Sequence, residues 1–185
     1  MPTRDKPMKI LLFGINNIDR KGISEALGKK FRIPYFDVEE EIIKKYKSLE
    51  KFIAIGEIEE RDAKREEIID EILFEEENCV IAVSPISTRG CFEKYVNDKS
   101  ILAIDLYDSI EHLYENVAID DEDDNNNMLD LMEFKERYYN YHLHAIRADI
   151  EEFEKTYEII KNKYNVDGKS PNECAQEIIE KYKII

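Results

Sequence analysis

The chain is poor in the residues that usually staple or divide a protein: 185 residues hold three cysteines, five prolines, six glycines and no tryptophan. Cys79, Cys91 and Cys174 are odd in number and lack C-x-x-C spacing, which argues against a disulfide framework and against a zinc site. No run of residues approaches the roughly 18–20 apolar positions that a membrane span needs. The segment Met1 to Met8 lacks the apolar centre of a signal peptide, so a cytoplasmic location is expected. No stretch rich in Pro, Gly and Ser divides the sequence and no internal repeat is visible, so residues 1–185 read as a single domain. Positive charge is scarce too. Lys and Arg number 27 against 42 Asp and Glu, a net charge of −15, which argues against nucleic acid or an anionic membrane as partner. A monomer or weak dimer acting on a small molecule is the expectation.

What is present is alternation. Short apolar runs at 8–14, 33–37, 79–84 and 100–106 read as buried parallel strands, with a fifth expected near 142–148 or 163–167. Helical spacing predicts helices over 20–31, from 39 to 46, over 57–76, around 89–97, over 109–116 and over 130–163 with a break near Asp149. A last helix runs from the Ser170-Pro171 cap to about 183. Strands alternating with helices of this length imply an α/β fold of three layers, a central parallel sheet flanked by helices. Ligands in such folds bind at the carboxyl ends of the strands, where Gly14, Asp37 and Ser84 would lie. Residues 117–130, centred on the acidic run Asp120 to Asn127, have no apolar anchor and predict a mobile, lid-like loop.

The first strand–loop–helix, Phe13-Gly-Ile-Asn-Asn-Ile-Asp-Arg-Lys-Gly-Ile23, stands where a P-loop, G-x-x-x-x-G-K-[ST], would stand. Gly14 is kept. Asp19 replaces the second glycine, Arg20 the lysine, and Lys21 the hydroxyl that would ligate Mg²⁺, so the motif is a degenerate Walker A. Asp19 puts a negative charge where backbone amides should meet phosphate. Arg20 keeps a cation with a bulkier fork.

The whole chain resembles the shikimate kinases. Tyr-Phe-Asp37-Val-Glu39-Glu-Glu-Ile42 resembles that family's F-x-D-x-D-x-E-I, and Gly56-Glu-Ile-Glu-Glu-Arg61 its G-E-x-x-F-R. Cys79-Val-Ile-Ala-Val-Ser-Pro-Ile86 sits where the family has V-I-A-T-G-G-G, and Val166-Asp-Gly-Lys-Ser-Pro-Asn-Glu173 resembles D-G-x-S-P-E-E. The family's order would also set the strand after Gly14 centrally in the sheet. The resemblance implies ATP-dependent phosphoryl transfer to the hydroxyl of a small carboxylic acid, a step of aromatic amino acid biosynthesis. Asp37 would hold Mg²⁺ through water. Glu39 would stand as acceptor base one methylene longer than the family's Asp. Arg61, with Arg137 or Arg147 from the helix after the lid, would grip the carboxylate, and Gly14, Arg20 and Lys21 would face the nucleotide. Arg20 would also neutralise the transferring phosphate.

The departures fall on the nucleotide side. Ser84-Pro85-Ile86 replaces the glycine triplet, Asn116 stands about where an Arg would stack on adenine, and the lid-like segment carries no cation to meet ATP, itself bearing about four negative charges. The alternative is a catalytically inactive kinase fold that binds a small anion or a protein partner. Each residue also has a plainer reading. Asp37 and Glu39 suit the start of a helix, Arg61 suits an ion pair with Glu57, Asp62 or Glu66, and Arg20 and Lys21 suit solvated cations at a helix start. His142 and His144, Tyr138 to Tyr141, and the Asp120–Asp124 run read as packing or solvated surface rather than as metal or ligand sites.

Overall fold

Lys9–Gly14 (β1) carries four consecutive apolar side chains, and a strand with that pattern must be covered on both faces. Ile10, Leu11, Leu12 and Phe13 are all fully buried. In the computed structural model, which describes residues 8–117 and 138–184, β1 is the middle of a five-stranded sheet. The other strands are β2 (Tyr35–Asp37), β3 (Cys79–Ala82), β4 (Ile101–Tyr107) and β5 (Asn162–Asn165), in the order β2-β3-β1-β4-β5. All four pairings are parallel. The expected α/β fold with a central parallel sheet is therefore the observed one.

Helices flank the sheet: α1 (Arg20–Phe31), α2 (Val38–Tyr46), α3 (Leu49–Ile53), α4 (Ile58–Glu75), α5 (Glu93–Asn97), α6 (Ile110–Glu115), α7 (Tyr139–Thr156) and α8 (Pro171–Tyr182). Their starts follow from the sequence. Asp19, Asp37, Ser48, Ser109 and Ser170 each accept a bond from a first-turn amide, meeting the demand of an uncapped helix end. Ser170 and Glu173 close a reciprocal capping box behind Pro171.

The fifth strand, 162–165, falls at the second of its two expected places; residues 142–148 lie inside α7, where Ile146 and Phe153, seven apart, bury one helical face. Two further expectations need correction. That helix also runs through Asp149 without a break, so His142 and His144 diverge rather than share a strand face. The strand after Gly14 is not central: β2 has three residues and sits at an edge, while β1, which ends in Gly14, takes the middle. A short edge strand limits the unpaired backbone a sheet exposes. Residues 118–130 of the lid-like segment lie outside the described residues, as does Arg137.

The core closes around Tyr157, just past α7. It is 1% exposed, with ring centroids 5.6 Å from Phe13, 5.4 Å from Phe92 and 5.1 Å from Phe153. A buried phenol needs a partner for its hydroxyl. Its oxygen accepts from the Ile86 amide at 3.0 Å, tying the end of α7 to the loop after β3. Tyr157→Phe should leave that amide unpaired and cost about 1–3 kcal/mol, read as a lower urea midpoint with an unchanged m-value.

Candidate functional site

The carboxyl ends of β1, β2 and β3 bring distant segments together. Gly14 ends β1 against Leu106 of β4, where a Cβ would stand 3.0 Å from the Leu106 carbonyl oxygen. The loop that follows buries Ile15 and Ile18 and passes through Asn17 at φ 66°. The Asn16 amide donates to Asp149 of α7 at 3.3 Å, and the Asn116 amide to the Asn17 carbonyl at 3.2 Å.

Arg20 turns into this loop. Its Nη1 donates to the carbonyl of Gly14 and, at 2.7 Å, to that of Ile15. Burial lowers its pKa from the usual arginine value; Tyr157, Glu39, Asp37 and Asp19 lie close enough to oppose that shift. Asp19 is turned the other way, onto the start of α1, where Oδ1 accepts from the Gly22 amide at 2.7 Å. Gly22 is needed for this cap, because a Cβ there would fall 2.2 Å from Asp19 Oδ2. The helix N-terminus that a phosphate would use thus holds the chain's own carboxylate. Lys21 is drawn outward into an ion pair with Glu40 at 2.5 Å, both about half exposed.

On the neighbouring strands, Asp37 caps α2 through Oδ1, which accepts from the Glu40 amide at 3.0 Å. Glu39, half-buried on the first turn of α2, is near enough to Arg20 and to Arg65 to oppose the lowering of their pKa values by burial. Arg61 does not pair with a neighbouring Glu. Its Nη1 donates to the carbonyls of Ile53 at 3.2 Å and Gly56 at 2.6 Å, leaving the Nε–Nη2 edge of the fork without a protein partner among the described residues. Arg147 is exposed on α7.

Two residues of this cluster were not singled out from the sequence. Asp62 is fully buried. Its Oδ1 takes a bond from Arg65 Nη1 at 2.9 Å, and its Oδ2 takes the amides of Ser87 at 3.0 Å and Thr88 at 2.8 Å. Arg65 also donates from Nε to Ser84 Oγ at 3.2 Å and lies over the Phe52 ring, 5.0 Å from its centroid. Burial lowers its pKa first; Asp62 and Glu39 oppose this, and the like charge of Arg61 adds to it. Asp62 and Arg65 share a helical stripe with the buried Ile69 and Ile72, at spacings of three, four and three. A charged pair on an apolar stripe is the signal that would have found them.

On the other side of β1, a cavity of about 190 Å³ beside Asn116 is lined by Asp19, Asp108, His112, Glu115 and Lys169 among others. Asp108 accepts from the Gly168 amide at 3.1 Å and holds His112 Nδ1 at 2.8 Å, which raises the imidazole pKa. Among the described residues, no three His, Cys, Asp or Glu side chains converge as a metal-binding set.

Neither a family model nor a curated protein sequence matches the chain. Solved structures do. Shikimate kinase from Acinetobacter baumannii in complex with shikimate superimposes with a TM-score of 0.73 at 17% identity, over 97% of this chain and 94% of that one. Shikimate kinase from Bacteroides thetaiotaomicron gives 0.71 at 14% identity, over 95% and 98%. The fold is that of the shikimate kinases. A gluconokinase from Sinorhizobium meliloti 1021 follows at 0.54 and 14% identity, over 98% of both chains. The likeness of fold thus spans nearly the whole chain, at 14–17% identity.

The Asp62 assembly sets a testable cost. Asp62→Ala strands Arg65 and two loop amides in a buried position and should cost about 3–5 kcal/mol, measured by urea unfolding. Asp62→Asn keeps the packing and one acceptor and should cost less.

Proposed function

We propose that this chain binds a small hydroxylated carboxylate at the carboxyl ends of β1, β2 and β3, and that it has lost phosphoryl transfer from ATP. One observation carries the reading: in a chain of net charge −15, Arg61 and Arg65 stand one turn apart on α4, and Arg61 keeps one edge of its fork without a carboxylate among the described residues. Asp62 answers Arg65, whereas no carboxylate of the described residues answers Arg61, and a further anion would complete the pair. The free fork edge of Arg61 matches a carboxylate held by two parallel bonds. Glu39 offers an acceptor to a hydroxyl of the same ligand.

ATP does not fit the loop in the same way. Its phosphates would have to displace the Asp19 carboxylate from the α1 amide, and Arg20 is spent on two backbone carbonyls. Asp37 retains one carboxylate oxygen for Mg²⁺, yet nothing beside it presents a phosphate. The second reading is ATP-dependent transfer to the acid's hydroxyl, with Mg²⁺ at Asp37, Glu39 as base, and Arg20 and Lys21 on the nucleotide. It is favoured by the fold alone, and one fold hosts many activities.

Calorimetric titration separates the two. Shikimate should bind at least tenfold more tightly than Mg²⁺-ATP, whose Kd should be about millimolar or weaker, near −4 kcal/mol. Arg65→Ala and Arg61→Ala should each weaken shikimate about tenfold or more. Micromolar ATP affinity with phosphoryl transfer to shikimate restores the kinase reading. Failure of both ligands to bind removes the carboxylate reading.

A further inference from the structure

A second cavity, of about 430 Å³, opens between the carboxyl end of β4 and α7, and none of Glu39, Arg61 and Arg65 borders it. Its volume is that of a small-molecule site. Its lining includes the apolar Ile15, Leu106, Ile150 and Phe153. The polar groups there are not equivalent. Asp105 is answered by Lys163 Nζ at 2.6 Å, and Lys163 is fixed further by the Tyr157 carbonyl at 2.8 Å. The Asp108 carboxylate is spent on His112 and on the amides of Ser109 and Gly168. Glu154 and Glu158 remain. Both border the cavity, Glu154 from the last turn of α7 and Glu158 from the turn just past its end. Glu158 has only Arg89, 3.6 Å away on an exposed flank, and Glu154 has no ion-pair partner among the described residues.

The geometry points to a second ligand site on this chain, for an organic cation with an apolar body: a primary or secondary amine whose ring or alkyl part sits on Ile15, Ile150 and Phe153 while its ammonium meets Glu154 and Glu158. Apolar walls supply most of the affinity of such sites, and a few charged groups fix orientation. The same carboxylates repel anions, so the ligand is of opposite charge to the one assigned to the arginine cluster. The two sites stand or fall separately, since they share none of the residues that would contact their ligands' charges.

The test is methyl NMR on the whole chain with 3-phenylpropylammonium as probe, and with 3-phenylpropan-1-ol and 3-phenylpropionate as its neutral and anionic counterparts. The ammonium should shift the Ile15 and Ile150 methyls saturably. The alcohol should bind several-fold more weakly, and the carboxylate should leave both methyls unmoved. The double variant Glu154→Gln, Glu158→Gln changes two exposed side chains; with its methyl spectrum otherwise intact, it should bind the ammonium about tenfold more weakly. The proposal is overturned if millimolar ammonium gives no saturable shift at these methyls. Equal binding of the alcohol, or unchanged affinity in the double variant, overturns it as well.

Discussion

A single buried carboxylate organises the arginine cluster of this molecule. Asp62 enters the interior with no exposed atom and satisfies Arg65 and two amides of the loop after β3 at once. Burying an unpaired charge costs several kcal/mol, and breaking a buried pair is more damaging than never having made it. The contact therefore fixes what it touches: the pitch of α4 against the sheet, the path of residues 84–88, and the direction in which Arg65 points. With Arg65 held against Ser84 and Phe52, Arg61 one turn earlier and Glu39 on α2 fall into the same neighbourhood, and the cluster has a defined shape before any ligand arrives.

The loop after β1 obeys the opposite logic. A phosphate-binding loop works by leaving amides and a helix N-terminus to be satisfied by the ligand. Here part of that set is already taken from within. Asp19 closes the helix end, Gly22 makes room for it, Arg20 binds the strand-end carbonyls, and Lys21 is taken by Glu40. Each of these contacts is compatible with the others, and together they close the loop on itself.

Much of this architecture is legible in the sequence because it rests on local rules. Continuous apolar runs marked β1, β3 and β4, Asp37 suited the start of α2, and Ser170-Pro171 marked the cap of α8. What stayed open depends on tertiary context. β5 reads Asn-Lys-Tyr-Asn and buries little besides Tyr164, so the sequence left its place open between 142–148 and 163–167, and its pairing with β4 decides. Leu143, Ala145 and Ile146 look as much like a strand as a helix until Phe153 sets the longer period. Helix α3 is a five-residue turn, below the length that periodicity can detect. Asp37, Glu39 and Arg61 could be named from the family motifs that the chain resembles, whereas Asp62 and Arg65 were hidden in a helix dense with charges, where only their place on the Ile69–Ile72 stripe sets them apart.

The central claim is that the arginine cluster, and not the loop after β1, is the part of this molecule that meets an anion. The arginine Nε–Hε resonances report it most directly, because Arg20, Arg61 and Arg65 each carry one. On adding shikimate, the account predicts saturable shifts at Arg61 and Arg65, with the amide of Gly22 unmoved; Mg²⁺-ATP at the same concentration leaves all of them in place. Shifts at Arg20 and at the Gly22 amide on adding Mg²⁺-ATP, with Arg61 and Arg65 silent toward shikimate, would contradict it.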